Sequence, residues 1–293
     1  MRVLTDDDVR RISPATAVAA MRAALLEAHR GRLASPPRLR ADAGSADYVF
    51  TVGGLLDGQS GFRVYRAGPS AGDQLVAVWE PDGHLAGVVA GDELGARRTG
   101  ALGGVAADVL ARPDATTVAM IGTGRQAWTQ LWAISAVRQL SDVRIYSRDP
   151  ERRAAFAGRA AEELHVPARP AASAEQAAAG ADIVVLATTS AEPVIDPAAI
   201  AAGTHLTTVG PKSARAHETP AELLARAAIV TCDSPQQAGA YAEPFFTDPG
   251  RLTPLSAVVA AQVPGRASPA DITVYCSVGL AGTEVLLAAA LFS

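Results

Sequence analysis

Thr116-Thr117-Val118-Ala119-Met120-Ile121-Gly122-Thr123-Gly124-Arg125-Gln126-Ala127 is the stretch on which the fold turns. Its first half is a short apolar run of the kind that builds a parallel strand buried on both faces. Its second half is a glycine turn that opens a helix, expected from Arg125 to about Leu140. Glycines at this spacing permit a tight turn and let the backbone approach a pyrophosphate, which the free N–H groups and positive end of the helix attract. Ala127 stands at the third small position, where helix must pack on strand. A lone glycine pattern carries little weight. This one follows a strand and opens a helix, the context that a dinucleotide site requires. An ordinary tight βα turn and a methyltransferase site on a similar fold are the competing readings.

Downstream, the rhythm continues. Val143–Tyr146 reads as a second strand, Pro150–Leu164 as a helix, and Ile183–Ala187, His205–Val209 and Ile229–Cys232 as further strands. Strands alternating with helices of ten to fifteen residues predict βαβ units, so the fold class is α/β with a Rossmann-type doubly wound sheet. Cofactor contacts are expected from Gly122, Thr123, Gly124, Arg125 and Gln126, and from the later strand ends at Ala187, Thr188, Thr189, Val209 and Gly210. The second strand ends in Tyr146-Ser147-Arg148, with Arg152 close behind, where an NAD enzyme places an acid. A hydroxyl and guanidinium groups suit a 2′-phosphate, so Ser147, Arg148 and Arg152 point to NADP (NADPH) rather than NAD. Asp149, one residue late, keeps the ribose reading open.

Upstream, a helix is expected over residues 14–32, and residues 40–90 alternate apolar and polar between turns such as Pro81-Asp82-Gly83. These predict antiparallel strands in a smaller α+β domain, followed by a helix of small side chains over 92–111. The expected division is 1–112, with a C-terminal helix at 277–293, and 113–276 for the nucleotide domain.

Composition narrows the function. At 293 residues the chain is long enough for two domains, and 49% hydrophobic with 19% charged residues excludes a disordered chain. A net charge of −4 argues against a nucleic-acid partner. Cys232 and Cys276 have no Cys or His at metal-ligand spacing, so no metal is expected, and two cysteines fit a reduced, cytoplasmic setting. The one long apolar stretch, at the C-terminus, is interrupted by Glu284 and is read as a buried helix rather than a membrane span. Of 26 basic residues, 25 are Arg; the single Lys is Lys212. His217 and Glu218 follow it in a segment read as the start of a helix, with Glu218 serving the helix dipole. Tyr241–Phe246 reads as an aromatic loop able to cover a pocket, and His29, His84, His165 and His205 as structural or solvated.

Pro37-Arg38, Gly61-Phe62-Arg63-Val64, Arg98-Thr99-Gly100-Ala101, the turn at 122–127 and Ser277-Val278-Gly279-Leu280-Ala281 occur in this order along nearly the whole chain. In this combination the sequence resembles the ornithine cyclodeaminase and mu-crystallin family. The resemblance implies that the first hundred residues and the C-terminal helix form a substrate and dimerisation domain, making the protein a homodimer. It also implies nicotinamide-dependent chemistry on a small-molecule substrate, either oxidation of amino acids or reduction of imines. Carried over by position, Arg38, Arg63 and Arg98 bind substrate, and Ser277 and Gly279 join the cofactor site. Arg63 stands where the family usually has Lys, which removes the compact amine that proton transfer needs.

After Val209 the family's amino-acid-handling members place an Asp two residues past a glycine. Here that position, in Val209-Gly210-Pro211-Lys212-Ser213, is Lys212. An Asp attracts an ammonium or iminium group; a Lys repels one. The candidate catalytic set is therefore Lys212 with Arg63 and Arg98, and the expected activity is NADPH-dependent reduction of a C=N or C=O bond in a small carboxylate. The alternatives are an NAD-linked amino-acid dehydrogenase or cyclodeaminase, and a non-catalytic protein that binds NADPH and a small ligand as the mu-crystallin branch suggests.

Overall fold

In the computed structural model, residues 1–44, 46–67 and 73–292 are described. Ser293, the last residue of the expected C-terminal helix, lies outside them. The chain divides into two compact units, Met1–Arg98 with Gly279–Ser293, and Thr99–Val278. The division falls inside the helix Glu93–Leu110, whereas the sequence placed the boundary after it, at 112.

The first unit is a sheet of β1 (Arg2–Leu4), β2 (Leu33–Ala34), β3 (Leu39–Asp42), β4 (Asp47–Leu55), β5 (Ser60–Ala67), β6 (Gln74–Trp79) and β7 (Leu85–Ala90). The order is β1-β7-β6-β5-β4-β2, with β3 also paired to β4. All pairs are antiparallel except β1 with β7. The helix Pro14–His29 starts at Ser13, whose side chain accepts from the Thr16 N–H. The C-terminal helix Thr283–Phe292 packs on that helix and on β4–β7, so one end of the chain returns to complete the core begun by the other.

The second unit is an eight-stranded sheet, parallel throughout: β8 (Thr117–Ile121), β9 (Asp142–Tyr146), β10 (Ala168–Pro170), β11 (Ile183–Leu186), β12 (His205–Thr208), β13 (Ile229–Cys232), β14 (Thr253–Pro254) and β15 (Thr273–Cys276). Its order, β10-β9-β8-β11-β12-β15-β13-β14, contains the doubly wound sequence with the switch point between β8 and β11. Alternate residues of one strand serve opposite faces. Val118 and Met120 pack with Leu131, Ile145 and Phe156; Ala119 and Ile121 pack with Leu206, Leu223 and Val274. Burial on both faces is why these strands read as unbroken apolar runs.

Three local expectations need correction. β10 and β15 have no counterpart in the sequence reading, and β15 inserts between β12 and β13. The helix from Arg125 stops at Ile134 rather than near Leu140. Ala136 and Val137 bond back three residues, and Arg138 turns away to the Asp108 carboxylate and to the carbonyls of Ala107 and Asp108. Residues 217–218 begin no helix; the next one, Ala221–Arg226, starts later, at Pro220.

Candidate active site

At the end of β8, Gly122 has φ +120°, a conformation closed to L side chains, and a Cβ there would overlap the Ala187 carbonyl. Its N–H donates to the Tyr146 carbonyl at 2.8 Å, so the turn is tied to the end of β9. Gly124 is the N-cap of the helix Arg125–Ile134 and has no side chain to satisfy the first N–H groups. A Cβ at Gly124 would meet nothing within 4 Å. The glycine therefore keeps an open approach to a set of unfilled donors, the arrangement that accepts a pyrophosphate. Thr123 and Gln126 are half-buried beside it, Arg125 is exposed, and Ala127 is fully buried against the sheet.

At the end of β9, Ser147 Oγ donates to the Asp149 carbonyl at 2.9 Å. Asp149 caps the helix Pro150–Leu164: its Oδ1 accepts from the N–H groups of Glu151 (2.9 Å) and Arg152 (3.2 Å). The acid that kept the ribose reading open is thus engaged with its own helix. Arg153 lies over the Tyr146 ring and donates to the Ala171 carbonyl, while Arg148 and Arg152 stand exposed.

The ends of β11 and β12 meet at a residue that the sequence reading took for a helix cap. Glu218 is fully buried. One carboxylate oxygen accepts from Thr188 N–H (2.7 Å) and Oγ (2.8 Å). The other accepts from Thr208 Oγ (2.9 Å), Val209 N–H (3.1 Å) and Gly210 N–H (2.5 Å). Thr188, Val209 and Gly210 are thereby brought together, with Ala187 half-buried and Thr189 exposed next to them. The N–H of Ser277, after β15, donates to the Thr208 carbonyl.

Lys212 is 4% exposed, and its Nζ donates to the Gly210 carbonyl at 2.6 Å. Its loop is pinned from two sides. Ser213 N–H donates to the Ala216 carbonyl within the hairpin, and Ala214 and Phe246 exchange backbone bonds with Pro244 and Lys212 across it. The Tyr241–Phe246 segment packs its rings on one another and stacks Phe246 on His217 at 5.7 Å. Burial pushes the neighbouring Cys276 thiol up to about 12, against the pull of the Lys212 charge.

In the first unit, three arginines converge. Arg98 and Arg63 both donate to Glu284 Oε1, Arg63 at 2.7 Å. Gly279, at φ +93°, lies against the guanidinium groups of Arg38 and Arg98. Burial acts to raise the Glu284 pKa, but Arg98 and Arg63 overcome it and hold the group at about 2. Burial lowers the Arg63 pKa; Glu284 opposes this and Arg98 adds to it. Two guanidinium groups thus share one carboxylate oxygen, and the Nε atoms of Arg63 and Arg98 are buried without a hydrogen-bond partner. Glu284 and Glu218 are the residues that the sequence reading missed as parts of these sites. The signal for Glu284 was present, as a lone acid in an apolar stretch.

A glycine turn opening an uncapped helix at the switch point of a parallel sheet defines a Rossmann-type dinucleotide-binding protein. Residues 15–292 match the model of the ornithine cyclodeaminase/mu-crystallin family, and the chain belongs to that family. It is 34% identical over 203 residues to a Delta(1)-pyrroline-2-carboxylate reductase of Bacillus cereus, a match covering 67% of this chain and 62% of the reductase. A solved structure of the Thermococcus litoralis Delta(1)-pyrroline-2-carboxylate reductase, in complex with NADH and L-proline, superimposes with a TM-score of 0.91 at 28% identity, covering 100% of this chain and 96% of that one. An archaeal alanine dehydrogenase dimer with bound NAD gives 0.88 at 25% identity, covering 99% and 94%.

Proposed function

We propose that this protein is an NADPH-dependent reductase of a C=N or C=O bond in a small carboxylate-bearing substrate. The observation that carries the reading is the surplus of positive charge at one buried carboxylate: the guanidinium groups of Arg98 and Arg63, 4% and 12% exposed, both converge on Glu284. A buried cation needs a counter-charge. A substrate carboxylate supplies it through paired hydrogen bonds from a planar guanidinium. The similarity to reductases whose names specify a cyclic imino carboxylate supports this substrate class.

The residues at the turn fit a dinucleotide. Gly122, Thr123, Gly124, Arg125 and Gln126 would hold the pyrophosphate, with Ala187, Thr188, Thr189, Val209, Gly210, Ser277 and Gly279 serving the rest of the cofactor. Ser147, Arg148 and Arg152 would take the 2′-phosphate, and the helix-capping role of Asp149 favours NADPH over NADH. When bound, the cofactor supplies hydride. Lys212 holds the proton: its buried ammonium, a donor of up to three hydrogen bonds, is oriented by the bond that it gives to the Gly210 carbonyl. A Lys can release a proton to a developing amine or alkoxide, whereas an Arg cannot.

A symmetric homodimer is part of the reading. Leu39, Tyr48, Val52 and Leu56 are exposed on or beside β3 and β4, and an apolar strip at a sheet edge favours a second copy. No helix among the described residues is long and apolar enough to cross a membrane. The free, buried thiols of Cys232 and Cys276 fit a reducing, cytoplasmic compartment. The test is a panel of cyclic imino carboxylates, keto acids with amines, and amino acids, followed by nicotinamide absorbance. Turnover of an imino or keto carboxylate with NADPH is expected. Turnover of amino acids alone would reverse the direction, and binding without turnover would make the protein a carrier.

A further inference from the structure

We propose that Glu218 is a positioning residue that sets the seat of the nicotinamide half of the cofactor; the inference rests on the dinucleotide reading above. Beyond Leu186 and Thr208 the β11–β12 ladder ends, its last rung being Val209 N–H to the Leu186 carbonyl at 2.9 Å. The two strand ends then have N–H groups with no ladder partner, at Thr188 and Gly210. Glu218 supplies the acceptor for both, and adds the hydroxyls of Thr188 and Thr208 and the Val209 N–H.

A buried carboxylate carries a large desolvation penalty, which these five donors offset. Among the described residues Glu218 forms no ion pair, so the charge is held by neutral donors alone. A carboxylate is acceptor-only on both oxygens; an amide is not. In Glu218→Gln the NH2 would replace one oxygen and confront at least one backbone N–H, either that of Thr188 or those of Val209 and Gly210. The side chain is therefore specified as an acid, not merely as a polar filler.

The brace also reaches the glycine turn. A Cβ at Gly210 would overlap both the Thr188 carbonyl and the Glu218 carboxylate, so these three groups are in contact. Ala187, next to Thr188, bonds to the Ile121 carbonyl at 2.9 Å, and its own carbonyl fills the space a side chain at Gly122 would need. The β8, β11 and β12 ends thus form one packed row at the switch point, the place where open α/β sheets bind ligands. Loosening Glu218 moves the Thr188 and Gly210 end of the row. The pyrophosphate turn at the other end keeps its own tether to Tyr146.

Binding of NADPH and of 2′-phosphorylated ADP-ribose, which lacks the nicotinamide, tests this by calorimetry on the full chain. Glu218→Gln should weaken NADPH by about tenfold or more, the scale of one lost charge-assisted hydrogen bond, and leave the fragment within about twofold. Thr208→Val is a milder second variant. Thr208 is fully buried and its hydroxyl donates to Glu218, so losing the hydroxyl while keeping the backbone should weaken NADPH in the same direction and spare the fragment, with an unchanged circular dichroism spectrum. Parent-like NADPH affinity in both variants, or equal loss of NADPH and fragment, would overturn the positioning role. If the unaltered protein binds neither NADPH nor NADH, the dinucleotide reading itself fails, a result distinct from either of those.

Discussion

Replacing Glu284 with Gln removes the one carboxylate between two buried arginines. The side chains of Glu284, Arg98 and Arg63 are 3%, 4% and 12% exposed, so solvent cannot take over its role. The pKa displacement sets the scale: a carboxyl held at about 2 instead of 4.5 is stabilised as the anion by about 3 kcal/mol. Breaking a buried ion pair by removing one partner typically costs about 3–5 kcal/mol, which agrees. For a chain of this size that corresponds to a fall in Tm of roughly 6–12 °C or more. The pH dependence has a definite sign. Because the folded-state pKa is depressed, the contribution is present above 4.5 and is lost as pH falls from 4.5 toward 2. Thermal and denaturant unfolding of parent and Glu284→Gln at neutral pH and near pH 3 is the assay. The gap between the two proteins should be widest at neutral pH and shrink in acid. An unchanged or higher Tm for the variant at neutral pH would refute the reasoning, since it would mean that the two guanidinium groups need no anion there.

Other expectations follow from the same structure. If Lys212 gives up a proton, Lys212→Arg should be nearly as damaging as Lys212→Ala, with turnover falling roughly 10²–10⁴-fold and NADPH affinity little changed; an active Arg variant in steady-state kinetics would remove that role. Gly122→Ala forces a side chain into a conformation at φ +120° and onto the Ala187 carbonyl, so calorimetry should find NADPH binding weakened about tenfold or more. His205 is fully buried between Thr273 and Thr207 hydroxyls, and burial with the Arg266 and Arg138 charges depresses its pKa to about 3. The unfolded chain therefore takes up a proton that the folded one refuses, and stability should fall by about 1.4 kcal/mol per pH unit below 6.5; denaturant titrations of His205→Asn should show a flatter slope between pH 7 and 5. Light scattering at micromolar concentration should find a dimer, and Leu56→Glu should shift it toward monomer without changing the circular dichroism spectrum.

The glycine turn, the apolar strands around it and the alternation of residues 40–90 were legible because each is a local pattern. A strand buried on both faces must be apolar along its length, and a helix that receives a phosphate must begin without a bulky side chain. Such constraints act within ten or so residues and leave their mark there. β15 left little mark: four residues after a Pro- and Gly-containing segment do not announce that they will insert between two strands more than forty residues upstream. Glu218 resembled a helix cap because an acid near a helix start is ordinary, and only the meeting of β11 and β12 shows that five donors converge on it. Glu284 was visible as an interruption, but its arginines lie 186 and 221 residues away. The sequence by itself determined the fold class, the nucleotide turn and the unusual single lysine, since these depend on periodicity, backbone freedom and residue type. The tertiary structure decided which charges neutralise one another, because that depends on distances set by the packing of segments far apart in the chain.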